Sequence, residues 1–592
     1  MSANEVRLQG DVEVVGSTGA LDAVEAPAGR GSIPSIALGR RLSLRLGIVT
    51  VLAITALFYL PALRCGYMID DFYQRIALGE LPELYRSRLD LFGLIRGPED
   101  VALYKTFGLV PWWASSALRI DFFRPIPSVT HWLDFTLFGW RPEAAHVTSI
   151  VWYLLSVVVA WRLLARFLPA GSAILGVAVA MFALDDAHAL NVIWISNRNE
   201  TIAGIFVMLA FLQYLRWRES RRLRDAALTV LAQAAALLSK ESAVILPLFV
   251  ALHIALFPAE SPAVGPSPLA RLRAESRLLL GLFGLTLGYV AIYFLNGHGA
   301  ASLYYVNPLR DPALWAAHFL RSGFFHAVIL ATGVPLLVLS NRPVTDYPAP
   351  AALLALITLG FFVIAWRWLR KERAFWFFIG WMLIGQAILT TSFPDPRLLF
   401  LPSVGFFWIV ARMMQESYAR WQSSSMARWV LGSLVVAHLL VAPVLSQACI
   451  FIVRDFQNGF GELRRALQAN VPYAALPEPG INVFFVNYHQ REASTLFGLH
   501  LRKDLPTGVS DYRQITSLNA PWREKIRRGL SAERVHYYQL SLLGKDADVE
   551  VTGERTLRVR AADGRYFPSC FEQLWMTNKY FRVGQTFQAG PF

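Results

Sequence analysis

The chain has 592 residues, of which 55% are hydrophobic and only 17% are charged, and its formal net charge is +14. A soluble protein would carry about 25% charged residues, so this deficit, with repeated apolar runs of roughly 17–25 residues, predicts an integral membrane protein. The positive charge does not indicate a nucleic-acid partner, because the arginines cluster in short segments between apolar runs, as in cytoplasmic loops. Only three cysteines occur, which excludes a disulfide scaffold.

The N-terminal part contains a tail, an anchor and a long loop. Residues 1–39 are rich in Gly, Ala and Ser without apolar periodicity, which is typical of a disordered cytoplasmic tail. Arginines precede the first apolar span at about 46–63, and no small-residue cleavage site follows it, so we expect an uncleaved anchor with a cytoplasmic N-terminus. Residues 64–143 form a first outer loop, whose mixed aromatic and charged pattern favours helices lying in the membrane interface.

Residues 40–449 are predicted to form a transmembrane domain with about eleven spans. After the first span, the others lie at about 144–166, 171–189, 200–217, 224–239, 242–258, 278–296, 349–366, 374–392, 398–414 and 427–447. Basic segments at 216–224 and 367–373 fall where alternation puts the cytoplasm. We place residues 297–348 outside and partly dipped into the membrane, because a full crossing there would turn the segment 367–373 outward.

Residues 450–592 have a different character. They carry more charge, and short alternating segments typical of strands occur at 481–486, 535–538 and 549–559. We expect a small α/β or α+β domain on the outer face. The predicted fold is therefore an all-α polytopic membrane protein with a small C-terminal extracytoplasmic domain.

Polar side chains gather at the outward ends of the predicted spans, whereas the inward ends carry plain arginine clusters. They are Asp70, Asp71, Arg124, Asp185, Asp186, His188, Asn191, Arg198, Glu200, Lys240, Glu241 and Arg397. Taken singly, each has a structural explanation as a helix cap, a snorkelling side chain or an ion-paired helix end. Charges at this depth are costly and usually functional, and distant segments bring all of these to one surface. We therefore interpret them as one site.

The order of these motifs resembles the GT-C superfamily of membrane glycosyltransferases. It is most similar to the transmembrane mannosyltransferases of the tetratricopeptide-repeat type, without the repeats, and more distantly to protein O-mannosyltransferases and aminoarabinose transferases. The matching elements are Asp70-Asp71, Phe123-Arg124-Pro125, Asn197-Arg198-Asn199-Glu200, Ser239-Lys240-Glu241 and Arg397-Leu398-Leu399-Phe400-Leu401-Pro402-Ser403. The resemblance covers residues 46–414.

One element departs from the pattern of that superfamily. Its HPxHTEAV motif is represented here by residues 185–192, with Asp185 in place of the first His and Leu190 in place of the Glu. The mannosyltransferases of that superfamily transfer mannose to a hydroxyl group. We therefore expect this protein to use a different donor sugar or a different acceptor.

The resemblance implies an inverting glycosyltransferase that moves a sugar from a polyprenyl-phosphate donor to an extracytoplasmic acceptor, which is an envelope glycan, a lipid or a protein. It implies a bacterial inner-membrane protein with its active site on the outer face. Asp70 is then the general base, and Asp71 orients it or binds the acceptor.

The resemblance also implies residues that bind the donor. Arg397 is the first choice for the donor phosphate, because arginine binds phosphate bidentately, and Lys240 and His188 come second. An alternative role for Arg124 is to pair with Asp71 and hold it in place, instead of binding the donor phosphate. The remaining residues are expected to support the site, namely Asp185, Asp186, Asn191, Arg198, Glu200 and Glu241. The superfamily is mixed in its use of divalent metals, and no residue cluster in this sequence demands one.

A transporter or flippase of a lipid-linked sugar is the alternative function, since it also needs intramembrane charges and a lipid groove. It would place its polar groups near the membrane midplane, often within inverted repeats and broken helices. The sequence shows no such repeat, and its polar groups lie at one surface, which favours the transferase. A non-catalytic scaffold would leave the aligned charges unexplained.

The basic segments predict the topology. Reporter fusions near residue 260 should show cytoplasmic activity and fusions near residue 470 exported activity, because arginine clusters stay on the cytoplasmic side. Cytoplasmic activity at residue 470 would contradict both the topology and the outer active site.

Overall fold

The structure is a computed structural model that describes only part of the chain. The described residues are 47–75, 77–78, 86–106, 110, 114–169, 172–258, 267–333, 348–392, 394–455, 481–485, 535–539, 547–553, 556–561 and 577. The tail predicted at residues 1–39 lies outside them.

Helices make up most of the described chain. In chain order they are α1 (Gly47–Arg64), α2 (Ile69–Arg75), α3 (Pro98–Thr106), α4 (Pro125–Phe138), α5 (Pro142–Leu164), α6 (Ala173–Leu184), α7 (Ala189–Ile193), α8 (Arg198–Ser220), α9 (Leu223–Leu237), α10 (Leu246–Leu256), α11 (Pro268–Ala274), α12 (Ser276–Leu295), α13 (Pro312–Thr332), α14 (Pro348–Leu369), α15 (Arg373–Leu389), α16 (Phe400–Ala419) and α17 (Ser425–Asp455). Short 3₁₀ turns at Asp186–His188, Ile195–Asn197, Glu241–Ile245 and Pro396–Leu399 join some of them. The polytopic all-α fold predicted from the sequence is confirmed.

Within the described residues, seven helices are long and apolar enough to cross a membrane, and the bent pair α6–α7 makes an eighth if it is one span. Six of the seven coincide with predicted spans, and the bent pair coincides with the span predicted at 171–189. Four predicted spans are helices in the structure but do not meet the criteria of length, hydropathy and low charge together, namely those at 200–217, 224–239, 242–258 and 374–392. The count of eleven spans stays a prediction.

Helix α13 is the seventh of these helices, and it lies in the segment expected outside the membrane. Trp315 Nε1 donates to the carbonyl oxygen of Ala387 at 3.1 Å, and His326 Nδ1 lies 2.6 Å from Gln386 Oε1. Both partners are in the last turn of α15, so this stretch of α13 stays beside one end of α15 rather than running along it. Such a path suits a helix that dips into the membrane, and the outer position of residues 297–348 stays a prediction.

Helix α16 and the turn before it lie at the centre of the helical bundle, where nearly all of their residues are buried. Two glycines let neighbouring helices approach. A Cβ atom on Gly204 of α8 would lie 2.4 Å from the Phe400 ring, and one on Gly405 would lie 2.8 Å from the carbonyl oxygen of Phe378. Small residues commonly allow such close packing between membrane helices. The start of α16, and with it Arg397, is therefore held firmly against α8.

Two outer loops are joined by a small antiparallel sheet. Strand β2 (Arg119–Asp121) pairs on one side with β1 (Gly93–Ile95) and on the other with β3 (Gly299–Ala301). Arg119 Nη1 also donates to the carbonyl oxygen of Gly297 at 2.6 Å. The sheet therefore fixes the loop after α12 against the first outer loop, which contains Asp70 and Asp71.

In the C-terminal region the structure describes four strands. Strand β4 (Ile481–Phe485) pairs in parallel with β5 (Val535–Gln539), as the alternating pattern predicts strands there. In place of the single strand expected at 549–559 there are two antiparallel strands, β6 (Ala547–Gly553) and β7 (Thr556–Ala561). Most other residues of 450–592 lie outside the described part, so the domain as a whole stays a prediction.

Candidate active site

Asp70 and Asp71 lie in the first turn of α2, where a helix favours negative charge, yet the two carboxylates differ. Asp71 is buried, and its oxygens accept hydrogen bonds from the backbone N–H groups of Met68 at 2.8 Å and Ser196 at 2.6 Å. Asp70 is half-buried and accepts no hydrogen bond from any residue that the structure describes. The capping role therefore belongs to Asp71, and the Asp70 carboxylate is available for chemistry.

Burial changes the proton affinity of both carboxylates. Loss of solvent raises the pKa of Asp70, and the positive charges of Arg397 and Arg124 oppose that rise. Burial raises the pKa of Asp71 to about 7, against the opposing effect of its two backbone hydrogen bonds. A carboxylate with a raised pKa is a stronger base than an exposed one. Asp70 is therefore a basic carboxylate that interacts electrostatically with Arg397 and Arg124.

Arg397 is held in place while the end of its side chain stays unoccupied. Asn191 Nδ2 donates to its carbonyl oxygen at 3.2 Å, and Arg397 N donates to Asp395 Oδ1 at 3.1 Å. The guanidinium lies over the Trp194 ring, 4.2 Å from the ring centroid, which is a cation–π contact. Among the described residues no side chain or carbonyl accepts a hydrogen bond from its terminal nitrogens. The arrangement suits an incoming anion.

The two other cations near this position are already paired. Arg124 donates to both carboxylate oxygens of Glu241, with Nη2 2.8 Å from Oε2. Lys240 forms an ion pair with Glu200. Arg124 therefore binds Glu241 and does not hold Asp71, which corrects that alternative. Arg397 is also paired, with Nε 3.2 Å from Asp395 Oδ2, but that contact leaves its terminal nitrogens available, whereas the Lys240 ammonium is its only donor group and already binds Glu200.

Arg198 is a structural residue. Its side chain is fully buried, and it donates to Asp134 Oδ2 at 2.7 Å, to Ser149 Oγ and to the carbonyl oxygen of Ala145. These bonds join the start of α8 to α4 and α5. The residue supports the site by holding three helices together, not by contact with Asp70.

The structure corrects the expectation that His188 binds the donor phosphate. His188 is fully buried, with Nδ1 2.7 Å from the carbonyl oxygen of Phe182 and Nε2 2.9 Å from Ser403 Oγ. Both ring nitrogens are therefore occupied in the helical core. The reason is the bend of 46° between α6 and the following helical segment, which turns His188 inward. Asp185 and Asp186 are buried at this bend, where Asp185 Oδ1 accepts from Ala187 N.

Tyr305 interacts with the charges of the site, although no motif in the sequence selects it. It follows β3 in the loop that the small sheet joins to the strand Arg119–Asp121. Burial raises the pKa of Tyr305 to about 12, the charge of Asp70 acts in the same direction, and Arg397 and Arg124 oppose it. Tyr305 therefore lies within reach of the same three charges. Only pairing between distant loops brings it there, so no local pattern could have identified it.

A metal site is not evident in the part of the chain that the structure describes. No group of three or more His, Cys, Asp or Glu side chains there is arranged to hold an ion.

Comparison with known proteins adds a family relationship. Residues 125–266, which include α4 to α10, match the family described as dolichyl-phosphate-mannose-protein mannosyltransferase. Over these residues the chain is similar to that family, which agrees with the resemblance to membrane glycosyltransferases that the motifs indicate. Four charged residues of those motifs lie in the matched segment, namely Arg198, Glu200, Lys240 and Glu241. No curated protein matches the chain.

Several solved structures are similar at low identity. The oligosaccharyltransferase of Archaeoglobus fulgidus, tethered to an acceptor peptide containing the NVT sequon, is 11% identical with a TM-score of 0.41. That alignment covers 77% of this chain and 63% of the oligosaccharyltransferase, so the chain spans less than two thirds of that protein. The apo form of the same oligosaccharyltransferase is 11% identical with a TM-score of 0.41, and the alignment covers 83% of this chain and 68% of that one. ArnT from Cupriavidus metallidurans bound to undecaprenyl phosphate is 14% identical with a TM-score of 0.36, and the alignment covers 80% of this chain and 88% of ArnT.

The contrast between Arg198 and Arg397 is testable. Arg198→Ala should destabilise the protein by about 3–5 kcal/mol, because it leaves the buried Asp134 carboxylate without its partner. Arg397→Ala should change stability by less than about 1 kcal/mol, because its contact with Asp395 is partly exposed. Thermal unfolding in detergent, followed by size-exclusion chromatography, measures both. Equal destabilisation by the two variants would contradict the assignment of Arg397 as an available cation.

Proposed function

We propose that the protein transfers a sugar from a polyprenyl-phosphate donor to an acceptor on the outer face of a bacterial inner membrane. The observation that carries the proposal is the contrast inside the site. Among the described residues, none donates a hydrogen bond to the Asp70 carboxylate, and Arg397 pairs with Asp395 only through Nε, so its terminal nitrogens meet no acceptor there. In Arg124 and Lys240, by contrast, the terminal nitrogens are themselves paired. A base without a bonded donor and a cation with unengaged terminal nitrogens are the two groups that the transfer needs.

The reaction is a single displacement with inversion. An acceptor hydroxyl oxygen attacks the anomeric carbon, and its proton passes to a carboxylate oxygen of Asp70. The bond between the anomeric carbon and the phosphate oxygen breaks, and the lipid phosphate leaves with additional negative charge. Arg397 compensates this charge from a fixed position over Trp194, so little reorganisation accompanies the step. The general-base contribution is about 10²–10⁴-fold.

The other site residues act through these two groups. Asp71, held by two backbone N–H groups, keeps α2 against the segment at Ser196 and so orients Asp70. Asn191 binds the backbone of Arg397. Lys240 and Arg124, each with its carboxylate partner, contribute positive potential without being the primary phosphate ligands. The acceptor is an envelope glycan, lipid or protein.

The lipid-linked donor has support in the family description, which names dolichyl-phosphate mannose. Because residues 185–192 depart from the pattern of the superfamily, we assign the donor sugar only by class, as a hexose or a related sugar. No described feature favours the transporter alternative, and an assay of sugar transfer separates the two, because a transporter would leave the sugar on its carrier.

Asp70 provides the sharpest test. Asp70→Asn nearly preserves shape but cannot accept the proton, so transfer should fall by about 10²–10⁴-fold or more while donor binding persists. Because burial raises the pKa of Asp70, and because the base must be deprotonated, wild-type activity should decline with falling pH at values above the ordinary aspartate pKa of about 3.9. The measurement is sugar transfer by purified protein in lipid, with a polyprenyl-phosphate sugar and an envelope extract as acceptor.

Asp71→Asn is the matched control, because it changes the neighbouring carboxylate in the same way. It should reduce transfer less, since an amide oxygen still accepts one of the two backbone hydrogen bonds. Near-normal turnover by Asp70→Asn would remove Asp70 as the base, and loss of activity in Asp71→Asn alone would exchange the two roles.

The binding of phosphate by Arg397 is tested by Arg397→Lys. Lysine keeps the charge but loses the planar pair of donors and the stacking over Trp194, so the KM for the donor should rise about tenfold with the folded protein intact. Initial rates at limiting donor give this value. A lysine variant with the wild-type KM would show that bidentate binding is not needed.

A further inference from the structure

A small cavity, whose wall is mainly apolar but includes several polar side chains, lies beside Asp71. It is partly open and has a volume of about 30 Å³. Its walls come from α2, α4 and the segment between α4 and α5, and they include Tyr67, Asp71, Gln74, His131, Asp134 and Trp140. Neither Arg397 nor Arg124 lines it. The cavity is therefore distinct from the place where we put the donor phosphate.

Two buried side chains of this cavity each carry one nitrogen without a hydrogen-bond partner. Gln74 and His131 are 4% and 6% exposed, and no described residue forms a hydrogen bond with Gln74 Nε2 or His131 Nε2. A buried polar atom left unpaired costs free energy, and native structures contain few of them. Gln74 lies three residues after Asp71 on the same face of α2, so its amide and the Asp71 carboxylate border one space. A polar ligand in the cavity would satisfy both unpaired atoms.

The chemistry of the walls selects the kind of ligand. The amide of Gln74 is a donor, and the carboxylates of Asp71 and Asp134 are acceptors. Burial lowers the pKa of His131 well below its ordinary value, and the charge of Arg198 acts in the same direction, so the imidazole is neutral. Hydroxyl groups, which both donate and accept, satisfy the whole set.

The volume limits how much of a ligand enters. A cavity needs about 10–15 Å³ of volume to hold one water-sized group, so this cavity accepts about two such groups. Two neighbouring hydroxyls on one edge of a sugar fit this space, whereas a whole ring does not. The apolar side chains of Tyr67 and Trp140 border the rest of the entrance.

We propose that this cavity is the acceptor subsite, and that the acceptor is an uncharged sugar at the end of a glycan whose neighbouring hydroxyls bind Gln74 and His131. The inference rests on the proposed function, because it assigns the second substrate of that site. Asp71 lines the cavity, while Asp70, one residue earlier, is within reach of Arg397. The acceptor is then held beside the acidic pair in a cavity that Arg397 does not line, so it does not compete with the leaving phosphate for that arginine.

Binding can be measured without any donor. Saturation-transfer NMR with methyl α-D-mannopyranoside should detect binding to the wild-type protein in lipid nanodiscs. Gln74→Leu and His131→Phe, both close in shape, should each raise the dissociation constant about fivefold, the effect of one lost hydrogen bond. Arg397→Gln is the matched control and should leave binding of this sugar unchanged, because Arg397 does not line the cavity.

Each outcome supports or contradicts the inference. Absence of sugar binding by the wild type, or unchanged binding by both cavity variants, overturns it. A seryl peptide that binds in a manner dependent on Gln74 while the sugar does not would show that the acceptor class is wrong. If either variant fails to fold, Ala145→Val narrows the cavity without removing a polar group and should weaken binding. Sugar binding without sugar transfer in the donor assay would contradict the proposed function alone.

Discussion

The requirement to compensate buried charge governs the part of this protein that contains Asp70 and Asp71. A charge removed from water is costly unless it is paired, and several acids and bases are buried together here. Glu200 pairs with Lys240, Glu241 with Arg124, and Asp134 with Arg198. These three pairs join α4, α8 and the turn before α10, and hydrogen bonds from Arg198 add α5. They form the frame of the site, and what they leave uncompensated defines its chemistry.

Asp70 and Arg397 are the groups that this frame leaves available. Each lies beside a partner that fixes the backbone, Asp71 in one case and Asp395 in the other, while its own functional atoms stay unbonded. Fixed position with free terminal atoms is what electrostatic stabilisation of a leaving group requires, because no reorganisation is then needed during the reaction. The ion pairs thus serve the proposed chemistry without taking part in it.

The outer loops complete the arrangement. The three-stranded sheet holds the loop after α12 against the first outer loop, and a hydrogen bond from Val306 N to the carbonyl oxygen of Thr391 joins it to the segment that precedes Arg397. Tyr305 lies between these anchors, close to the charges of the site. Helices α2 and α4 enclose the cavity of Gln74 and His131, which Asp71 also lines. Neither Arg397 nor Arg124 lines this cavity, so the arginines and the two unpaired nitrogens belong to different parts of the site.

The sequence by itself determined the membrane class, the helical fold and the candidate residues at the span ends, because hydropathy and charge distribution are properties of local segments. It also predicted two of the C-terminal strands from their alternation. It could not assign partners. That Arg124 binds Glu241 instead of Asp71, that His188 turns into the core, and that Tyr305 and Gln74 border the acidic pair depend on contacts between segments far apart in the chain. A motif fixes which side chain is present at a position, whereas burial and pairing fix whether its polar atoms are free to react, and only the tertiary structure decides that.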